Sequence, residues 1–192
     1  MKAIPSAVVL ALVCGTAGVA AGYEVSLLSE HHRLEHNKNL VRMSHEKVWS
    51  ERDNTAASRA ARAIYSTDFV VHDSTGDSSG LDAFIKELAE NRANFPDWTE
   101  RIEGFVAEGD WVAARFTSTG TQARDLAAMP HVQPAVPSKA RALRMPEIEI
   151  FRISNGRLAE QWDMNDGWDT NRQLGLFDPD DWPNSICGAA RK

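Results

Sequence analysis

Residues 158–166 read Leu-Ala-Glu-Gln-Trp-Asp-Met-Asn-Asp, a strand-like apolar run that ends in an acid. Strand side chains alternate faces, so Leu158, Glu160, Trp162, Met164 and Asp166 share one face, and Arg157, Ala159, Gln161, Asp163 and Asn165 share the other. The first set is the more apolar and is expected to face a core or pocket, carrying Glu160 and Asp166 inward. A carboxyl group held against Trp162 and Met164 loses hydration, so its pKa rises and it can both give and accept a proton near neutrality. Asp166 is therefore the candidate general acid/base. The same residues have a purely structural alternative, in which Glu160 pairs with an arginine and Asp166 caps the helix that follows.

Other chemistry-bearing patterns are weaker. His32-Arg33-Leu34-Glu35-His36 fits the H-x-x-E-H metalloprotease pattern, but it lies in a polar stretch with no packed second shell, and surface histidines are the better reading. No Gly-rich phosphate loop, Gly-x-Ser-x-Gly elbow, paired-cysteine motif or Asn-x-Ser/Thr acceptor occurs. ATP, nicotinamide and structural zinc are therefore poor fits, and the expectation is a protein without cofactor or metal. Arg115 alternates with Trp111 and Ala113, which suits packing or an ion pair.

The elements that would position these residues follow from periodicity. Leu27, Leu34, Val41 and Val48 recur every seven residues, a single apolar column that suits a helix and not a coiled coil. Residues 23–38 are read as a helical or loose extension, and residues 39–50 as a helix proper. Asp53-Asn54-Thr55 supplies cap residues for a second helix with Ala56, Ala57, Ala60, Ala61, Ile64 and Tyr65 on its apolar stripe. A short strand at 68–73, a loop at 74–80 and a third helix from Leu81 follow. Ser79-Gly80-Leu81-Asp82 has the form of a capping box, and Pro96 stops that helix.

Beyond Asp97 the period becomes that of strands, at 98–107, 111–122 and 140–153, with turns at Glu108-Gly109-Asp110 and Asn155-Gly156. Residues 124–139, with three prolines, read as a long loop that could overhang a pocket. Helices first and a curled sheet last imply an α+β domain, a cone-shaped barrel in which N-terminal helices pack on a curved, mostly antiparallel sheet and enclose a pocket.

With 192 residues and 43% hydrophobic content, the chain suits one domain with one core. Met1-Lys2, the apolar run 7–13 and the small residues ending at Ala21-Gly22 have the zones of a secretory signal peptide, so cleavage near Ala21 and a secreted or periplasmic protein are expected. Cys14 offers a lipid-anchor reading, which the bulky Val13 before it disfavours. Loss of residues 1–22 removes Lys2 and takes the formal charge from −6 to −7, which argues against nucleic acid or an anionic membrane as partner. Cys187 alone would then remain, so no internal disulfide can form. Residues 39–177 form the expected domain and 178–192 a tail.

Several marks in order carry a resemblance: Phe95-Pro96-Asp97, residues 107–116, Gly120-Thr121, the run from Phe151 to Trp162, and Asp166 with Gln173-Leu174-Gly175. With these the chain resembles the SnoaL-like polyketide cyclases of the nuclear transport factor two-like superfamily. The resemblance implies a hydrophobic cone whose acid, at the position of Asp166, catalyses an intramolecular aldol closure on a small apolar carbonyl compound without metal or cofactor. On the residues themselves His72 and Gln122 are expected to orient the substrate and Trp162, Glu160, Phe116 and Met164 to line the pocket, with a strand-end histidine bonded to backbone or solvent as the alternative for His72. After Gly-Thr the family commonly has His where this chain has Gln122, which hydrogen-bonds but cannot shuttle a proton near pH 7. A ligand-binding or protein-interaction module on the same scaffold is the competing function. Relatives of this kind often pair through the outer sheet face, here expected to present Arg157, Gln161 and Asp163.

Overall fold

The computed structural model describes residues 26–73, 76–126 and 137–175. The leader expected over residues 1–22, most of the loop expected to overhang the pocket, and the tail at 178–192 lie outside them. Helix α1 (residues 26–43) crosses the expected boundary at residue 39 without a break, so residues 26–38 of the expected extension are helical. Asn37 Nδ2 donates to Gly109 O at 3.1 Å and Arg33 pairs with Asp110 at 3.2 Å, which pin α1 to the turn between β3 (Thr99–Glu108) and β4 (Trp111–Thr121). His32 and His36 are both exposed on α1.

Helix α1 runs into a π-helical segment, Ser44–Trp49, which buries Ser44, His45 and Val48. Helix α2 (Asn54–Ile64) starts where the sequence places it, with Asp53 Oδ1 accepting from Ala56 N at 2.7 Å, and buries Ala57, Ala61 and Ile64. Helix α3 (Leu81–Asn94) departs from expectation at its start: its N-cap is Gly80 at φ +98°, with no capping side-chain bond. The residues before it, expected as loop, instead form strand β2 (Gly76–Ser79), paired antiparallel with β1 (Tyr65–Asp73).

The sheet has the strand order β2-β1-β6-β5-β4-β3, completed by β5 (Ala142–Ser154) and β6 (Arg157–Asn165). All neighbours are antiparallel except β1 and β6, and its edges do not meet among the described residues, so the sheet is curved but unclosed. Asn155 and Gly156 both have positive φ (51° and 69°), as a two-residue turn between β5 and β6 demands. The main core lies between the concave sheet face and the helices, built on Val41, Ile64, Tyr65, Phe69, Phe84, Val112, Phe151 and Leu158. A smaller cluster of Phe95, Trp98, Leu126, Leu143 and Leu174 packs beside α4 (Gly167–Gln173).

One irregularity decides which residues of β6 face this core. Ile153 pairs with Leu158 but Arg152 pairs with Glu160, so Ala159 is an extra residue in β6, a β-bulge. Before it the alternation holds, with Leu158 buried and Arg157 exposed. After it every side chain is on the face opposite to the one simple alternation assigns. Gln161 is buried at 2% exposure and Asp163 is half-buried, whereas Met164 is 71% exposed. The expected inward set of Glu160, Trp162, Met164 and Asp166 is thus corrected, and so is the outer face, which presents Glu160, Trp162 and Met164 in place of Gln161 and Asp163.

Three variants test this packing. A Cβ at Gly120 would lie 3.0 Å from Trp98 Cε3 and 3.1 Å from Phe95 Cβ, so Gly120→Ala is expected to lower stability by about 1–3 kcal/mol in denaturant unfolding. Deleting Ala159 removes the bulge yet leaves Gln161 and Asp163 in phase with Leu158, so a cooperative thermal transition should survive, whereas deleting Gln161 should drive Trp162 inward and Asp163 outward and collapse it; an unchanged melt of the Gln161 deletion would contradict the register.

Candidate functional site

The polar residues on the concave face come from four elements. In β5 the buried positions alternate through Leu143, Glu147, Glu149, Phe151 and Ile153, so Glu147 (6% exposed) and Glu149 (4%) sit on the face of the apolar residues. In β6 the bulge brings Gln161 and Asp163 to the same face, with Asp163 directly opposite Glu149. From β4 come Phe116 and Ser118, and from β3 comes Glu100, whose side chain is almost fully enclosed.

His45 reaches this group from the π-helical segment. The wider turn is closed by Ser50 N donating to His45 O at 3.0 Å, and Arg92 of α3 holds the end of the segment by donating to Val48 O and Glu51 O, both at 2.6 Å. Single π turns inside helices often occur at functional sites because they turn side chains off the regular stripe. The His45 ring is fully buried, 4.4 Å from the Phe116 ring centre and edge-on to Phe151.

The hydrogen bonds form a chain. His45 Nδ1 is bonded to Glu100 Oε2 at 2.7 Å, and Trp98 Nε1 donates to Glu100 Oε1 at 3.0 Å. Gln161 Nε2 donates to Glu149 Oε1 at 2.8 Å, and Ser118 Oγ donates to Glu147 Oε1. Between the two halves is a gap: His45 Nε2 and Glu149 Oε2 are 3.7 Å apart, too far for a hydrogen bond, and each is buried without a partner. Gln161 Oε1 and Asp163 Oδ1 are likewise buried and unsatisfied. Native interiors satisfy nearly all such atoms, so four in one place mark a site shaped for more than packing.

Burial dominates the electrostatics. It pushes the Glu147 carboxyl up to about 9 despite the bond from Ser118, and raises Glu149 well above the usual carboxylate range, with the charges of Glu100, Asp163 and Glu147 adding to the effect. Asp163 is raised to about 6, mainly by burial and against the bond from Asn165. Two facing carboxyls with pKa values pushed apart can divide the roles of acid and base.

The residues singled out from sequence divide between two faces. Phe116 and Gln122 are buried on the same face of β4 and the residue beyond it, Phe116 under His45 and Gln122 with its Nε2 donating to Arg124 O at 3.3 Å. His72, Glu160 and Trp162 assemble instead on the outer face. Glu160 pairs with Arg152, which holds its carboxyl below the usual range, and with His72 Nε2 at 3.3 Å. His72 Nδ1 bonds Asp77 at 2.8 Å, and its ring stacks on Trp162 at 4.6 Å. Asp166 is exposed, with its Oδ1 accepting from Asp169 N at 3.0 Å as the cap of α4. The structural alternative for Glu160 and Asp166 is the arrangement found. Arg115 pairs with Glu103 at 2.9 Å on the outer face.

His45, Glu100, Glu147, Glu149 and Asp163 were not singled out. A signal for most of them existed: His45 falls on the apolar stripe of Val41 and Val48, and the β5 glutamates alternate in phase with Phe151 and Ile153. Asp163 had none, since its inward position depends on the bulge.

The sequence model of the SnoaL-like polyketide cyclases matches residues 39–174. Among curated proteins none matches the chain. Among solved structures, a provisionally named SnoaL-like polyketide cyclase from Jannaschia sp. CCS1 is 19% identical with a TM-score of 0.62, covering 73% of this chain and 92% of its own. TsrD from Streptomyces laurentii is 21% identical with a TM-score of 0.61, at coverages of 74% and 97%. An NTF2-like protein of unknown function from Exiguobacterium sp. 255-15 is 14% identical with a TM-score of 0.53, at 67% and 98%. These likenesses are of fold. The family match spans most of the chain, and on it this protein belongs to the SnoaL-like polyketide cyclase family.

Proposed function

We propose that this protein is an exported, cofactor-free enzyme that performs acid/base chemistry on a small apolar carbonyl compound, by cyclisation, isomerisation or a related lyase step. The observation that carries this reading is the cross-strand pair of Glu149 and Asp163 on the concave face, backed by His45 and Glu100. At neutral pH Asp163, with a pKa of about 6, is mainly ionised, whereas burial raises Glu149 well above the usual carboxylate range and favours its protonated form. Asp163 is the half-buried member of the group and takes the proton from a carbon flanked by carbonyls; the released electron pair forms an enolate. Glu149 delivers its proton to the carbonyl oxygen that gains charge, and reprotonation from Asp163 restores both groups. His45, fixed by Glu100, positions Glu149 and does not touch the substrate. Phe116 and Phe151, fully buried beside His45, give the group an apolar surround that favours an uncharged guest. The export part of the proposal rests on the N-terminal sequence alone.

The second reading, a non-catalytic binding module, draws on Asp166, whose engagement with the α4 amide leaves it a structural part. One experiment separates the two. In deuterated buffer, the protein should accelerate loss of the proton NMR signal of the carbon between the carbonyls in a panel of 1,3-dicarbonyl compounds. Asp163→Asn should cut that rate by about 10²–10⁴-fold while leaving affinity nearly intact. Saturable binding without exchange by the native protein would favour the binding module and sink the enzymatic reading. The rate should also rise as pH increases through about 6.

The same carboxyls impose a pH dependence on stability. Both have folded pKa values above their ordinary ones, so the native state binds more protons and stability falls as pH rises. The loss extends from the ordinary value of 4.5 to about 9 for Glu147, and from 3.8 to about 6 for Asp163. Melting temperature should therefore decline between about pH 5 and 9, and Glu147→Gln should flatten that decline; a native Tm that is constant or rising over this range would contradict the burial of these groups.

A further inference from the structure

The bulge at Ala159 has a counterpart on the other side of β6. Tyr65 pairs with Leu158 and Val70 with Glu160, so Ser66–Phe69 of β1 stand opposite Ala159 alone and leave the ladder. The opening is a cavity of about 430 Å³, remote in chemistry from the carboxyl-lined concave face. Its wall carries three guanidinium groups from three elements: Arg62 at the end of α2, Arg152 in β5 and Arg157 in β6. In a chain of formal charge −6 this concentration runs against the average.

The donors are only partly committed. Arg157 Nη1 donates to the carbonyls of Arg62, Ala63 and Tyr65 at 3.0, 3.3 and 3.1 Å, and Arg157 makes no ion pair among the described residues. Arg62 uses Nη2 on Asp82, and Arg152 uses Nε and Nη2 on Glu160. A guanidinium has five N–H donors, so each of the three keeps donors beyond these bonds. Ser66, also in the wall, has a hydroxyl that is shielded from solvent and bonded to nothing among the described residues. Asp68 is the single carboxylate of the lining, and it is exposed.

We propose that this cleft binds the phosphate group of a small phosphorylated molecule. A carboxylate presents only two coplanar oxygens, as Glu160 does, with Oε1 taking both Arg152 donors and Oε2 bonded to His72 Nε2. Forks from a helix end and two strands suit a tetrahedral group with oxygens in several directions. The volume exceeds that of phosphate alone, so the rest of the molecule also lies in the cleft. The site is independent of the acid/base reading of the concave face.

Isothermal titration calorimetry on the whole chain tests it, with inorganic phosphate, phenyl phosphate and acetate as probes. Phosphate and phenyl phosphate should bind, phenyl phosphate the more tightly, and acetate should not. Arg62→Gln should weaken phosphate binding about tenfold, the scale of one charge-assisted hydrogen bond. Arg157→Gln should weaken it further, but Arg157 also ties down the end of α2, so Arg62→Gln with its exposed side chain is the deciding variant. Absence of heat at about 10 mM phosphate, equal affinity for acetate, or undiminished binding by Arg62→Gln would each overturn the proposal.

Discussion

The extra residue in β6 is the constraint on which the rest of the molecule depends. Because strand side chains alternate with a period of two, one inserted residue exchanges the faces of everything that follows it. Here the insertion turns Gln161 and Asp163 toward the helices and Glu160, Trp162 and Met164 away. It also sets two neighbourhoods of opposite character on either side of one strand. The concave side gathers carboxyls around His45, and the β1 side opens where β1 bows away from Ala159, next to three arginines.

The concave cluster is costly to the fold. Several carboxyls share a buried face with Phe116 and Phe151, and burial pushes Glu147 up to about 9 and raises Glu149 well above the usual carboxylate range by denying them water. Hydrophobic core alone would be more stable in that place, and the unsatisfied atoms of His45, Glu149, Gln161 and Asp163 add to the cost. Such expense is characteristic of sites whose groups act on a guest. The π-helical segment fits this picture, since it gives up regular helix to aim His45 at Glu149 and is held in place by Arg92.

Much of the fold was legible because it follows from local rules. The Asp53 cap, the stop before Pro96, the Asn155-Gly156 turn and the alternation in β4 each rest on a few neighbouring residues, and each is found as read. Strand β2 escaped notice because Gly76-Asp77-Ser78-Ser79 is fully exposed and has strand form only through pairing with β1. The site was legible in part. Phe116 and Gln122 are buried as their strand phase requires, and the β5 glutamates advertise themselves by keeping step with Phe151. Asp166 misled because a bulge leaves no mark in composition: Ala159 and Glu160 look the same whether or not the ladder skips between them. Its other reading, a helix cap three residues before the amide it binds, needed only local sequence and is what the fold contains.

The outer face gains meaning from the same register. Trp162, no longer a pocket wall, stacks on His72 and leans toward Trp111, with Ile148, Ile150 and Met164 exposed beside it. The outer sheet face is therefore more apolar than simple alternation suggests.

The central claim, that Asp163 is turned to the concave face opposite Glu149 and partly withdrawn from water, is tested most directly by following the side-chain carboxyl carbon of Asp163 by NMR across pH. The account predicts a midpoint of about 6. A midpoint near the ordinary aspartate value of about 3.9 would put Asp163 in water and contradict it.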